Sequence, residues 1–301
     1  MDFDDPHLYP TRKADFQKMD HLPPDFYDDV FGQLQKKDIQ PARLLPGMFG
    51  VVATDHYNQR RELKLLVSMP QANRCDLELL DLSMLRAQSI SFSDLHSKYD
   101  RLVHIALSEA WEEETELAMP LESALRKISL VLRLAANCEF VNTYTPSIPA
   151  VFCREFFKLL ARSQAFAIVE TYDHGKECEE FVRKQMESVH LEVLSLGGVW
   201  SEDLNGAIAS VARNPKFSLL SCHSPSVSLD YETVVSLLHR WANGDLKKAY
   251  VYINVSFDKQ RLRSFLHNLG CTELQPTFKL ADRRDLYLYT RTDFMVLFIG
   301  S

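Results

Sequence analysis

The chain of 301 residues sets 34 Lys and Arg against 41 Asp and Glu, for a formal net charge of −7, and is 46% hydrophobic. That composition is globular: with 10 Gly and 13 Pro it excludes collagen-like and disordered chains, and the acidic balance excludes a chain-wide nucleic-acid surface. No run approaches the roughly 20 apolar residues of a membrane span, and acidic Met1–Asp5 does not read as a signal peptide, so a cytoplasmic or nuclear protein without membrane partners is expected.

Residues 1–19 carry charge and Pro without an apolar period and are expected to be a flexible arm. From Leu22 the pattern turns helical. Leu22-Pro23-Pro24-Asp25 suits a first helical turn, where proline's missing donor is not needed. Phe26, Val30, Phe31 and Leu34 then share one helical face. Gln35-Lys36-Lys37-Asp38 breaks that face, and Asp38 is placed to cap a second short helix carrying Ile39, Ala42 and Leu45. Pro46-Gly47 marks a turn, and a third helix runs from Met48 past Val52 and His56 to Arg60. Helices this short cannot hold a core alone and must pack on something.

The period then switches. Leu63–Val67 reads as a strand and Leu130–Leu134 as another, with helical stretches between them and an acidic, solvated helix face from Glu112 to Glu116. Beyond Ala150 helix and strand alternate: helices over 152–160, 177–188, 204–211, 231–241 and 261–269, strands starting at 166, 191, 217 and 249. Two short strands follow over 286–289 and 294–299. The strand starts lie 25, 26 and 32 residues apart, one strand and one helix per unit. Two α/β architectures satisfy that spacing: a degenerate leucine-rich-repeat-like solenoid, or a doubly wound sheet.

Little points to chemistry. There is no GxSxG, HExxH or P-loop. The six cysteines (75, 138, 153, 178, 222 and 271) lack metal-ligand spacing and read as small buried hydrophobes. Asp55-His56 beside Arg60 and Arg61 reads as a polar helix face, and Gly197-Gly198 as a tight strand-to-helix turn. Cys222 and His223 are adjacent strand residues and point to opposite faces, so they do not make a nucleophile and base. No catalytic residue, metal or cofactor is expected.

The order of features in residues 22–62 resembles an F-box, with Leu22-Pro23 opening a short helix through Leu34, then Lys37-Asp38-Ile39 and two more short helices. The whole layout is similar to the divergent nematode class of F-box and F-box-associated proteins. Gly50-Val51-Val52-Ala53, His56-Tyr57, Arg60-Arg61-Glu62 and Leu194-Ser195-Leu196-Gly197-Gly198 with Trp200 carry that likeness.

The resemblance implies an F-box-like motif over 20–62 and an α/β leucine-rich-repeat-like partner-binding region over 63–301. It further implies a non-catalytic substrate-recognition subunit of an SCF-type ubiquitin ligase. The adaptor of the cullin complex would seat on Leu22, Pro23, Phe26, Val30, Phe31, Leu34 and Ile39, and the repeat region would hold an unidentified protein target. Two other readings stay open. One is an interaction module, an inhibitor or antidote, whose N-terminal helices only cap the solenoid. The other is an enzyme with a deep pocket at the strand ends of a doubly wound sheet.

Overall fold

The computed structural model describes residues 22–71, 73–83, 86–109, 118–142, 148–163, 166–246, 248–274, 277–280, 285–290 and 294–299. The expected arm at 1–19 and the acidic run at 112–116 lie outside them. The chain forms two compact units: residues up to Leu63 with Leu79–Leu102, and Lys64–Glu78 with the residues from Val103 onward.

The first unit holds three helices, α1 (Pro24–Gln33), α2 (Lys36–Ala42) and α3 (Gly47–Gln59). Pro24 and Asp25 occupy the first turn of α1, where a donor is dispensable and a carboxylate meets the positive helix end. The helices close on Tyr27, Phe31, Ile39 and Ala53, all fully buried, with Phe49, Val52 and Tyr57 packed round them. The Phe31 and Phe49 rings lie 4.8 Å apart. A Cβ at Gly50 would collide with the Leu45 carbonyl, so the turn into α3 closes only over glycine.

Strands β1 (Arg61–Gln71), β2 (Arg74–Asp81), β3 (Gln88–Ser89) and β4 (Asp100–Glu109) follow. β3 pairs antiparallel with β2 inside the first unit, and the other three strands continue into the second. Residues 98–101 clamp the helices. Lys98 pairs with Asp28 at 2.9 Å, Tyr99 donates to Asp55 at 2.7 Å, and Arg101 donates to the Gly32 carbonyl. Asp100 is fully buried and accepts twice from the Arg61 guanidinium, at 2.7 and 2.6 Å.

In the second unit β5 (Met119–Pro120) pairs with β2 and leads into α4 (Leu121–Leu132). Then come β6 (Ala135–Asn142), α5 (Ala150–Leu160), β7 (Phe166–Tyr172), α6 (Lys176–Met186), β8 (Val193–Gly197) and α7 (Asn205–Arg213). They are followed by β9 (Leu219–Cys222), β10 (Ser228–Leu229), α8 (Tyr231–Asn243), β11 (Ala249–Val255) and α9 (Lys259–Asn268). The last four strands are β12 (Cys271–Leu274), β13 (Thr277–Leu280), β14 (Asp285–Thr290) and β15 (Phe294–Ile299). Across this unit the sheet runs β12-β13-β14-β15-β11-β9-β8-β7-β6-β4-β1-β2.

β6, β7, β8, β9 and β11 are parallel neighbours joined through helices, as parallel strands must be. After β11 the chain passes through α9 to β12, four places away across the sheet, and returns by antiparallel steps to β15, which pairs with β11. Helices α4 to α9 pack against each other in chain order. Phe140 on β6 shows which side they cover, lying 5.6–6.0 Å in ring-to-ring distance from Phe156, Phe157 and Phe181. Burial alternates along most strands in step with the pleat: Phe140, Val169, Leu194, Val251 and Leu297 are buried between partly exposed neighbours, while on β9 Leu220, Ser221 and Cys222 are all buried.

The expected architecture, a short N-terminal F-box-like motif followed by a leucine-rich-repeat-like solenoid, is corrected by this topology. The strands form one mixed, fifteen-stranded sheet. Only its middle comes from strand–helix units, and β12–β15 form an antiparallel meander without intervening helices. The three helices share their unit with residues 79–102. Residues 130–134 are not a strand, because Ala124, Ile128 and Val131 recur at helical spacing and form the buried stripe of α4. Between Val67 and Leu121, where helices were expected, the main elements are β2 and β4. No helix among the described residues is long and apolar enough to cross a membrane.

Candidate functional site

Parallel registry sets side chains in rows across the helix-free face of the second unit. In one row Ile168, Val193, Leu219 and Tyr250 stand side by side on β7, β8, β9 and β11, continuing into Phe298 and Tyr287. One pleat further on, Glu170, Ser195, Ser221 and Tyr252 are aligned, continuing into Val296 and Tyr289. The first row is therefore apolar, and the second carries hydroxyls and a carboxylate. Tyr287, Tyr289 and Phe298 are 38%, 42% and 42% exposed, well beyond what a sheet core would show.

Four rings form a platform at this end of the face. His223 lies 4.5 Å from Tyr252, Tyr252 stacks on Phe294 at 5.2 Å, and Phe294 meets Tyr289 at 6.2 Å. Ser221 Oγ lies 3.2 Å from His223 Nε2 and fixes the imidazole. At the opposite end Glu139 on β6 adjoins Ile168, and its carboxylate lies 3.4 Å from His104 Nδ1. Burial, with the Lys64 charge, pushes the His104 ring below its ordinary range.

Gly197 ends β8 at the margin of this face. A Cβ there would fall on the Tyr172 ring, which lies against the bare α-carbon, and the Trp200 indole donates to the Gly197 carbonyl at 2.7 Å. Gly197→Ala is expected to swing Tyr172 aside and cost about 1–2 kcal/mol in urea unfolding, as overpacking does. An unchanged midpoint would show that the ring moves freely.

A second polar cluster sits at the strand ends on the helix side. Asn142 donates to His174 Nε2 at 2.6 Å, and Cys153 Sγ lies 3.7 Å from His174 Nδ1. The arrangement has the composition of a nucleophilic site, but its sulfur is enclosed and its thiol is held protonated by burial. Cys153 is 1% exposed and burial pushes its thiol up to about 11. This cluster fills the core. All six cysteines are free and buried, as expected from their spacing.

In the first unit Asp55 and His56, read as a polar helix face, bond to different partners. His56 Nε2 bonds Asp28 at 2.8 Å, while Asp55 accepts from Tyr99. Cys222 is buried and His223 is exposed, on opposite faces. Of the residues expected to meet an adaptor, Leu22, Pro23 and Phe26 are exposed, Val30 and Leu34 are half-buried, and Phe31 and Ile39 are 0% exposed inside the helix cluster.

Burial lowers the pKa of His56, His104 and His174, in His56 against the opposing bond from Asp28. These rings stay neutral in the folded chain while the unfolded chain's histidines protonate near pH 6.5, so acidification favours unfolding. The melting temperature is expected to fall steadily from pH 7.5 to pH 5.5. A flat or rising profile would contradict these environments.

No protein-family profile and no curated protein matches the sequence. Among solved structures the chain is similar to the MycE methyltransferase from the mycinamycin biosynthetic pathway in complex with Mg and SAH, at 10% identity and a TM-score of 0.23, over 95% of this chain and 88% of that one. It is also similar to that enzyme in complex with Mg, SAH and mycinamycin VI, at 10% identity, the same coverage and a TM-score of 0.21. Such a likeness carries no argument about activity.

The reading as a ubiquitin-ligase substrate receptor is corrected here. The seven residues named for the adaptor do not form one face, since Phe31 and Ile39 are interior. The open face itself was not among the residues singled out from the sequence. The alternation Tyr250-Val251-Tyr252-Ile253 was its one local signal.

Proposed function

We infer that the protein acts by binding, without a reaction of its own, and that the helix-free face of its sheet receives a segment of a polypeptide partner. The ring platform of His223, Tyr252, Phe294 and Tyr289 carries this reading. Aromatic side chains supply a large part of the energy at protein interfaces, and here they stand on the side of the sheet away from the described helices of the unit. A sheet face is shallow. It suits a flat or extended chain rather than a small molecule, which needs a concave pocket to bury most of its surface.

The test is selection of displayed random decapeptides on the immobilised protein. Enriched peptides are expected to bind Tyr252→Ser at least tenfold more weakly, and to bind a control with Glu180→Arg on exposed α6 as they bind the unaltered chain. Peptides that bind Tyr252→Ser equally well, or no enrichment at all, would overturn the reading.

A further inference from the structure

Around Glu170 the charges on this face are one-sided. The strands β6, β7, β8, β9, β11, β14 and β15 contain no Lys or Arg, whereas the face carries Glu139 and Glu170. Glu139 is engaged by His104. Glu170 has no ion-pair or hydrogen-bond partner among the described residues and stands half-buried between Val141 and Ser195 in its row. A carboxylate held in a partly apolar row attracts a cation more strongly than a solvated one does, because the effective dielectric constant is lower.

The geometry also sets a distance. Glu170 and Tyr252 share a row and are separated by β8 and β9, three strand spacings. At about 4.8 Å per spacing this is roughly 14 Å, with only Ser195 and Ser221 between. A polypeptide lying across the strands rises about 3.4 Å per residue when extended, so four residues cover the same distance. Residues four apart in an extended chain also point to the same side.

We propose, resting on the binding reading above, that the partner segment is basic and extended: an Arg or Lys pairs with Glu170, and an apolar or aromatic residue four positions away packs on the Tyr252–Phe294 platform. Between them Ser195, half-buried in the same row, presents its hydroxyl to the segment's backbone.

The probe is a set of fluorescein-labelled, Thr- and Ser-rich nonapeptides carrying one Arg and one Phe two, four or six positions apart, plus a set with Glu in place of Arg. Binding is read by fluorescence anisotropy. The four-residue separation is expected to bind tightest, to weaken about tenfold with Glu170→Gln, and to weaken as salt is raised. Tyr252→Ser should abolish binding of every peptide, with the circular dichroism of both variants unchanged.

Peptides that bind through Tyr252 but ignore Glu170→Gln, or Glu peptides that bind as well as Arg peptides, would overturn the basic partner and leave the binding face standing. Binding indifferent to both substitutions, or none at millimolar peptide, would overturn both inferences.

Discussion

Phe140→Ala is expected to destabilise the second unit by about 3–5 kcal/mol, the range for deleting a fully enclosed ring. Phe140 lies on the helix side of β6 and is 0% exposed. Its ring meets those of Phe156, Phe157, Phe166 and Phe181, so it joins strands β6 and β7 to helices α5 and α6 in one cluster. Because these neighbours hold one another at ring-contact distances, the cavity cannot collapse fully. In a unit of this size the loss corresponds to a melting temperature lower by roughly 10 °C. Phe140→Leu keeps most of the volume and should cost less than half as much. A loss below about 1 kcal/mol for the alanine variant, read by urea unfolding, would mean the cluster repacks freely.

Arg60→Ala is the second large effect, and it is local to the first unit. Arg60 is 1% exposed, and burial pushes its guanidinium down to about 10. It donates to the Phe31 carbonyl at 2.6 Å and the Leu34 carbonyl at 2.9 Å, capping the C-terminal end of α1 where the helix runs short of donors. A hydrogen bond from a charged donor contributes about 1.5–3 kcal/mol, so losing both should cost roughly 3 kcal/mol or more. The readout is amide exchange, which should accelerate on the order of a hundredfold in α1 and α3 and stay unchanged in α5 to α8. Lysine retains the charge but lacks the planar fork, so Arg60→Lys should fall between. Unchanged exchange in α1 would remove Arg60 from the cap.

The order of helices and strands beyond Ala150 was legible in the residues, but the single mixed sheet they build was not. The helices from α5 to α9 announce themselves by apolar recurrence, whereas Asp38, read as a cap, lies inside the first turn of α2, whose N-cap Gln35 makes no side-chain capping bond. Leu130–Leu134 misled because a short apolar run fits a strand as well as the end of a buried helix stripe. Phe26 and Phe31 lie on one helix and were read together, yet one is 45% exposed and the other 0%. Periodicity gives a face; it does not say what covers that face. The candidate site was less legible still. Tyr252 and Phe294 stack although they lie 42 positions apart, and Glu170 gains its meaning from Ser195 and Ser221 on neighbouring strands, so registry that no local pattern encodes creates the site.

The passage from β11 through α9 to β12 bears on how the chain assembles during synthesis. From β6 to β9 each new parallel strand joins the one before it, and β11 then joins β9, so the sheet can grow in step with the emerging chain. At β12 that order breaks: the strand belongs roughly 19 Å from β11, and nothing fills the gap until β15 is made. At a ribosomal pace of about 5–20 residues per second, the edge of β11 waits at least a second or two, open to any other strand that passes. A nascent chain stalled after Thr290 would therefore be a ready nucleus for clumping, whereas one stalled after β9 would expose only the edge that the growing sheet always shows.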